Sequence, residues 1–146
     1  MSVSPTPGFL NAAKVTVGFS SVYGFAMAHQ VFAKQRLIRN KKKDGQVLDR
    51  YGCPELLSAD RLVANILEWS PMFLGPVWSL AAADRLDERC LTFAWGYVGL
   101  RAVYLFSVIK RGVASNGLNR HLWGATFPGY ACLIFLWKRS LEILSL

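Results

Sequence analysis

Four long apolar stretches alternate with shorter polar segments along the chain. Each is close to the roughly 20 residues that an α-helix needs to cross a lipid bilayer. The third has Arg101 as its only charged residue, and the fourth has no charge between Leu122 and Trp137. Because the helices of soluble bundles keep a charged outer face, the pattern favours a membrane protein over a soluble bundle. The predicted fold is all-α, an integral membrane four-helix bundle in a single domain, 1–146, with spans at about 8–32, 62–83, 90–109 and 121–137.

Composition and charge support this interpretation and predict an orientation. Hydrophobic residues make up 53% of the chain, whereas soluble domains have roughly 45–50% apolar residues even with glycine counted. The second connection, 84–89, has three acids and two bases, so the net charge of +8 comes mainly from the first and third connections. By the positive-inside rule these two face the cytosol or its equivalent, with both termini on the opposite side. The cations are Lys34, Arg36, Arg39, Lys41, Lys42, Lys43 and Arg50 in the first connection, and Lys110, Arg111 and Arg120 in the third.

Several other chemistries find no support in the sequence. The three cysteines, Cys53, Cys90 and Cys132, are scattered, so they indicate neither a disulfide framework nor a metal site. The two histidines lie far apart, and no glycine-rich phosphate loop or nucleophile elbow is present. The basic segments lack the aromatic interleaving and the motifs of nucleic-acid-binding proteins. The expected partner is the lipid bilayer, crossed in several passes, and no nucleic acid. The expected location is an endomembrane or organelle membrane.

Three polar residues interrupt the second apolar stretch. Arg61, Asn65 and Glu68 follow one another at i, i+4 and i+7. On a helix that advances about 100° per residue, they share one face. Ionisable groups inside a bilayer cost several kcal/mol unless they face a partner or water. The stripe therefore predicts either a ligand site or a polar seam between packed helices.

The third apolar stretch carries a matching polar stripe. Tyr97, Arg101 and Tyr104 share one face of the predicted helix. Ser58 is the expected N-cap of the second helix. From the start of the second apolar stretch Glu68 lies about 10–12 Å deep, and Arg101 lies about 12 Å below the end of the third helix. Opposite charges at matching depth reduce the cost of burying each other. The sequence therefore predicts that Glu68 and Arg101 form an ion pair.

Together these elements resemble the MAPEG family, the membrane-associated proteins of eicosanoid and glutathione metabolism. The most specific element is the Arg-x-x-x-Asn-x-x-Glu motif of the second helix, which runs into an aromatic residue and a proline. The resemblance extends over nearly the whole chain, with an Arg-x-x-Tyr element in the third helix and an Asn-Arg pair before the fourth. The matching residues are Arg61, Asn65, Glu68, Trp69 and Pro71, then Arg101 and Tyr104, then Asn119, Arg120, Gly129 and Tyr130.

The resemblance implies a homotrimer that binds glutathione, its co-substrate, between neighbouring subunits near the cytosolic face. It implies that the carboxylate of Glu68 faces the ammonium group of glutathione, while Lys34 and Arg120 take carboxylates. Tyr104 is expected to contact the peptide backbone or to lie near the thiol. The glutathione-binding residues so implied are Lys34, Arg61, Asn65, Glu68, Trp69 and Arg101, and the catalytic residues are Tyr104 and Arg120.

Three positions depart from the family pattern. Val63 stands where members often carry His or Gln, Val108 where a second tyrosine is common, and Ser115 near the position of a thiol-activating arginine. Each lost polar group removes a ligand hydrogen bond worth about 0.5–1.5 kcal/mol. Two functions therefore remain open. One is a microsomal glutathione S-transferase-like enzyme acting on lipophilic electrophiles or hydroperoxides. The other is a catalytically weak MAPEG-like accessory subunit that assembles with other membrane subunits.

Overall fold

The structure is a computed structural model that describes residues 4–45, 49, 52–112 and 120–145. Four α-helices account for most of these residues. The prediction of an all-α fold is confirmed, and each helix covers one of the predicted apolar stretches to within a residue. The helices are α1 (Pro7–Lys43), α2 (Pro54–Ala82), α3 (Glu88–Arg111) and α4 (Arg120–Leu144).

Capping residues set the ends of α1 and α3. The hydroxyl of Thr6 accepts a hydrogen bond from the backbone N–H of Phe9 at 3.4 Å, which satisfies a free donor in the first turn of α1. The carboxylate of Asp87 accepts from the N–H of Cys90 at 2.8 Å and caps α3 in the same way. Gly112 ends α3 with a φ of 70°, a conformation that glycine adopts without steric cost. Local sequence therefore determines where these helices begin and end.

The second helix begins earlier than the sequence predicts. Pro54 occupies its first position, where a residue without an N–H leaves no helical hydrogen bond unmade. The prediction that Ser58 caps this helix is wrong, because Ser58 lies inside its second turn. Pro71 and Pro76 also lie inside α2, and the helix continues through both.

Aromatic rings from three helices form the centre of the bundle. The ring centroid of Phe73 on α2 lies 4.4 Å from that of Tyr97 on α3 and 5.1 Å from that of Phe19 on α1. Phe93 of α3 stacks on Phe135 of α4 at 3.9 Å. Both α1 and α4 pack on α2 and α3. The two helices that carry the polar stripes are therefore the central pair.

The outer surface of the bundle is strongly apolar. Large hydrophobic side chains are exposed on all four helices, and those of Phe32 and Ile134 are each 69% exposed. Within the part of the chain that the structure describes, α3 is the one helix long and apolar enough to cross a membrane by length and composition alone. Membrane crossing, by α3 as by the other three helices, stays a prediction.

Candidate functional site

The polar stripes of α2 and α3 meet at Asn65 and Arg101. The guanidinium of Arg101 donates from Nη1 to Oδ1 of Asn65 at 3.0 Å. It also donates from Nε to the hydroxyl of Tyr97, one turn earlier on α3, at 2.8 Å. Arg101 is only 5% exposed. These hydrogen bonds therefore replace the ones to water that the guanidinium loses on burial. Arg101 thus joins the two central helices at a buried positive charge.

Aromatic rings surround the same guanidinium. Its Cζ lies 4.9 Å from the ring centroid of Tyr97, 5.7 Å from that of Trp69 and 5.8 Å from that of Tyr104. A cation within about 6 Å of an aromatic face is attracted to it, more strongly where water is excluded. Trp69 also packs on Tyr130 of α4, with 4.8 Å between the ring centroids. The cluster therefore connects α2, α3 and α4 around one charge.

Glu68 does not pair with Arg101, so that prediction is wrong for the described chain. Glu68 is exposed, and the hydrogen bonds of Arg101 go to other groups. The reason is the length of α2. Because α2 begins at Pro54, Asn65 lies about 16 Å from that end. Arg101 lies about 15 Å from the end of α3, so its depth matches Asn65, whereas Glu68 is about 5 Å deeper.

The contact with Arg101 fixes the orientation of Asn65. Since its carbonyl oxygen accepts the hydrogen bond from Arg101, its amide nitrogen is left to donate elsewhere. Asn65 is half-buried, whereas Arg61 and Glu68, about one turn to either side, are exposed. Along about 10 Å of α2, the stripe therefore presents a cation, an amide donor and a carboxylate. Such a surface can bind a molecule that carries both an anionic and a cationic group.

A small cavity of about 230 Å³ lies between α1 and α2. Gln30 donates from Nε2 to Oδ1 of Asp60 at 2.7 Å beside this cavity. Lys34 also lines it, one turn after Gln30 on α1. Lys34 therefore shares a cavity with Asp60, the residue that precedes Arg61 in α2. Its predicted role in binding a carboxylate stays a prediction. The lining residues are Gln30, Val31, Lys34, Leu56 and Asp60.

Arg120 lies apart from this cluster within the protomer. It is exposed and is the first residue of α4. Tyr130, the residue of α4 that contacts Trp69, is about 15 Å further along that helix. The predicted role of Arg120 therefore stays a prediction. Three other residues of the sequence interpretation, Arg50, Ser115 and Asn119, lie outside the described residues.

An apolar groove of about 880 Å³ opens beyond Trp69, between α2 and α4. Tyr130, Ile134 and Trp137 of α4 line it, together with Trp69 and Met72 of α2. Trp69 contacts Arg101 as well, so its indole is the shared wall of the polar cluster and the groove. A polar ligand on the α2 stripe and an apolar ligand in the groove would therefore lie side by side.

Sequence reasoning missed two contributions to this site. The sequence puts Tyr97 on the same face as Arg101 but gives it no role at the site. The spacing of four residues is the signal that its hydroxyl reaches the guanidinium. The hydrogen bond between Gln30 and Asp60 had no comparable signal. These two residues come from different helices, so only the packing of α1 on α2 brings them together.

The comparison with protein families covers most of the chain. A family model described as the MAPEG family matches residues 5–141. Comparisons with curated proteins and with solved structures give no match. The matched range includes α2, α3 and both polar stripes, so the resemblance inferred from the motifs is confirmed. The chain belongs to the MAPEG family.

Proposed function

We propose that the protein is a multi-pass membrane enzyme that conjugates glutathione to lipophilic electrophiles or uses it to reduce hydroperoxides. The observation that carries the proposal is the stripe of Arg61, Asn65 and Glu68. Its central amide is fixed by the buried Arg101, while its two charged residues are exposed. A seam that served only the packing of this protomer would be covered by its own helices. The charged residues at both ends of this stripe instead face outward.

The charges of the stripe complement those of glutathione. Glutathione carries its ammonium group and one carboxylate on the same carbon of the γ-glutamyl end. Its second carboxylate is at the glycine end, two peptide bonds away. Glu68 binds the ammonium group, and Arg61 takes a carboxylate, for which a guanidinium offers paired donors. The free amide N–H of Asn65 donates to a peptide carbonyl between them. Lys34, which shares a cavity with Asp60 of α2, adds a second cation for the glycine carboxylate.

Catalysis requires the thiolate form of glutathione. A free thiol has a pKa of about 8.5 and is mostly protonated at neutral pH. A nearby positive charge or hydrogen-bond donor stabilises the thiolate and lowers that pKa, so more of the reactive form is present. Tyr104, whose ring lies 5.8 Å from Cζ of Arg101, supplies a hydroxyl donor beside that cation. In conjugation, the sulfur forms a bond to an electrophilic carbon and the leaving group takes the bonding electrons. In reduction, two glutathiones convert a hydroperoxide to an alcohol and water and become a disulfide.

The apolar surroundings of the site support a lipophilic second substrate. The groove beyond Trp69 is about 880 Å³, within the range of small-molecule pockets. Its opening lies among exposed apolar side chains such as Ile134. A substrate dissolved in the bilayer would reach the groove without crossing water.

Isothermal titration calorimetry tests glutathione binding by the detergent-purified protein. We expect Glu68→Gln to weaken binding about tenfold or more, because a hydrogen bond to a charged group contributes about 1.5–3 kcal/mol. Glu142→Gln is the matched control, since Glu142 is exposed and pairs with Arg139 on α4, away from the stripe. Absence of binding heat from the unmodified protein at millimolar glutathione would remove the enzyme from consideration.

Cysteine-accessibility labelling tests the membrane topology. The three native cysteines, all free, are first replaced by alanine. Single cysteines at Lys42, in the last turn of α1, and at Arg85, between α2 and α3, should then be labelled from opposite sides of sealed vesicles. Labelling of both from the same side would contradict a four-span bundle.

The accessory-subunit function keeps one specific observation in its favour. Val108 is 2% exposed and packs in the core, at a position where a second tyrosine is common in the family. Val63 also packs against the core, where His or Gln is often found. A self-associated trimer in detergent supports the enzyme. A single copy among foreign subunits supports the accessory function.

A further inference from the structure

The first helix is longer than a bilayer requires. α1 has 37 residues, so its axis extends over about 55 Å, against a hydrocarbon core of about 30 Å. Its apolar part ends at Phe32, and the helix continues without a break to Lys43. These last eleven residues add about 16 Å. If the apolar part spans the membrane, the C-terminal third of α1 rises through the headgroup layer and into water.

One face of this extension is concave, polar and basic. Positions 32, 35, 36, 39, 40 and 43 follow the spacing of a single helical face. Together they line a depression of about 450 Å³. All are exposed. Phe32, the first of them along α1, is apolar, and three of the later ones are cations. The residues are Phe32, Gln35, Arg36, Arg39, Asn40 and Lys43.

Little negative charge opposes these cations. No acid occurs between Lys34 and Lys43 in the sequence. Among the described residues that face the depression, Arg36 donates to Glu55 of α2 in an exposed ion pair. Arg39 and Lys43 lie one and two turns further from the bilayer than Arg36. Asp44, the C-cap of α1, is the next acid along the chain. With three cations against Glu55 and Asp44, the face keeps a net positive charge above an apolar base.

We propose that this basic face of α1 binds the phosphate headgroup of an anionic phospholipid from the leaflet on its own side of the membrane. Phe32 contacts the top of the acyl chains, Arg36 and Arg39 reach the phosphate, and Gln35 and Asn40 donate to its remaining oxygens. Arg36 lies about 6 Å above Phe32 along the helix, which is the depth of the headgroup layer. The proposal rests on α1 crossing the bilayer and not on glutathione binding.

Native mass spectrometry of the delipidated full chain in detergent tests this site, with phosphatidylglycerol as the anionic probe and phosphatidylcholine as the neutral one. A basic residue near an anionic surface contributes about fivefold in affinity. Arg39→Gln with Lys43→Gln should therefore weaken phosphatidylglycerol binding about 25-fold. This pair leaves the Arg36–Glu55 ion pair intact. Arg85→Gln with Arg89→Gln removes two exposed cations from the opposite end of the bundle and serves as the matched control.

We expect the control to bind phosphatidylglycerol as the unmodified protein does, and Arg39→Lys with Lys43→Arg to retain binding because the charge is kept. Equal losses in the two double variants would overturn the proposal, as would equal affinity for the two lipids. Displacement of phosphatidylglycerol by millimolar inorganic phosphate would also overturn it, since the face would then take a free anion. The topology labelling at Lys42 separately tests whether α1 crosses the bilayer.

Discussion

Pro76 creates a structural problem inside α2 that Trp137 of α4 solves. In an α-helix the N–H of residue 76 would bond to the carbonyl of Met72, but proline has no N–H. The indole Nε1–H of Trp137 donates to that carbonyl oxygen instead, at 2.7 Å. Trp137→Phe keeps most of the ring and removes the donor. It leaves a carbonyl without its partner on an apolar surface.

The magnitude follows from the net contribution of that hydrogen bond. The bond lies at the surface of the bundle, so its loss costs about 0.5–1.5 kcal/mol, apart from any packing that the smaller ring loses. In a Pro76→Ala background, the new N–H of residue 76 can reach the carbonyl of Met72. Trp137→Phe should then cost only the packing loss. The double-mutant cycle should therefore give a coupling of about 0.5–1.5 kcal/mol between Trp137 and Pro76.

Unfolding by SDS in mixed micelles, followed by far-ultraviolet circular dichroism, measures the free energy of unfolding for each variant. Trp123→Phe is the control, because Trp123 is also on α4 but makes an edge-to-face contact with Phe127 of its own helix. Its cost should be the same in both backgrounds. If Trp137→Phe costs as much in the Pro76→Ala background as in the unmodified chain, the indole does not compensate for the missing backbone donor, and the reasoning fails.

The polar cluster and the cap of α3 give two more expected results. Asn65→Leu should lower the free energy of unfolding by about 1.5–3 kcal/mol, since the partner of Asn65 is charged. In double-mutant cycles with the same SDS assay, the effects of Asn65→Leu and Arg101→Leu should be coupled. The effects of Glu68→Leu and Arg101→Leu should be additive. The hydrogen bond from the backbone N–H of residue 90 lowers the pKa of Asp87 below its ordinary value of 3.8. The Asp87 carboxylate therefore contributes its full stabilisation above pH 3.8. This stabilisation is lost as pH falls through the lower pKa of Asp87 in the folded state. Thermal midpoints measured from about pH 7 to pH 3 should fall less for Asp87→Asn, which caps the helix without titrating; equal falls would show that the cap carries no pH dependence.

Local sequence is enough to predict that four helices form, but it predicts only some of the helix ends. Apolar stretches of about 20 residues and capping residues such as Asp87 act within one segment, so four helices could be predicted without knowledge of their packing. The extension of α1 was missed because the apolar pattern stops at Phe32. Lys, Arg and Gln are good helix formers, so the helix continues through the basic segment although the pattern that predicted it has ended.

The sequence by itself determined that α2 and α3 each carry a polar stripe and that the motifs are those of the MAPEG family. Only the tertiary structure decided which residues of the stripes meet. That choice depends on relative depth and rotation of two helices, and a shift of α2 by one turn exchanges Glu68 for Asn65 as the partner of Arg101. The same holds for the bond of Trp137 to Met72, which joins residues 65 positions apart. A periodic pattern records which face a residue occupies, whereas contacts between helices depend on how those faces are aligned in space.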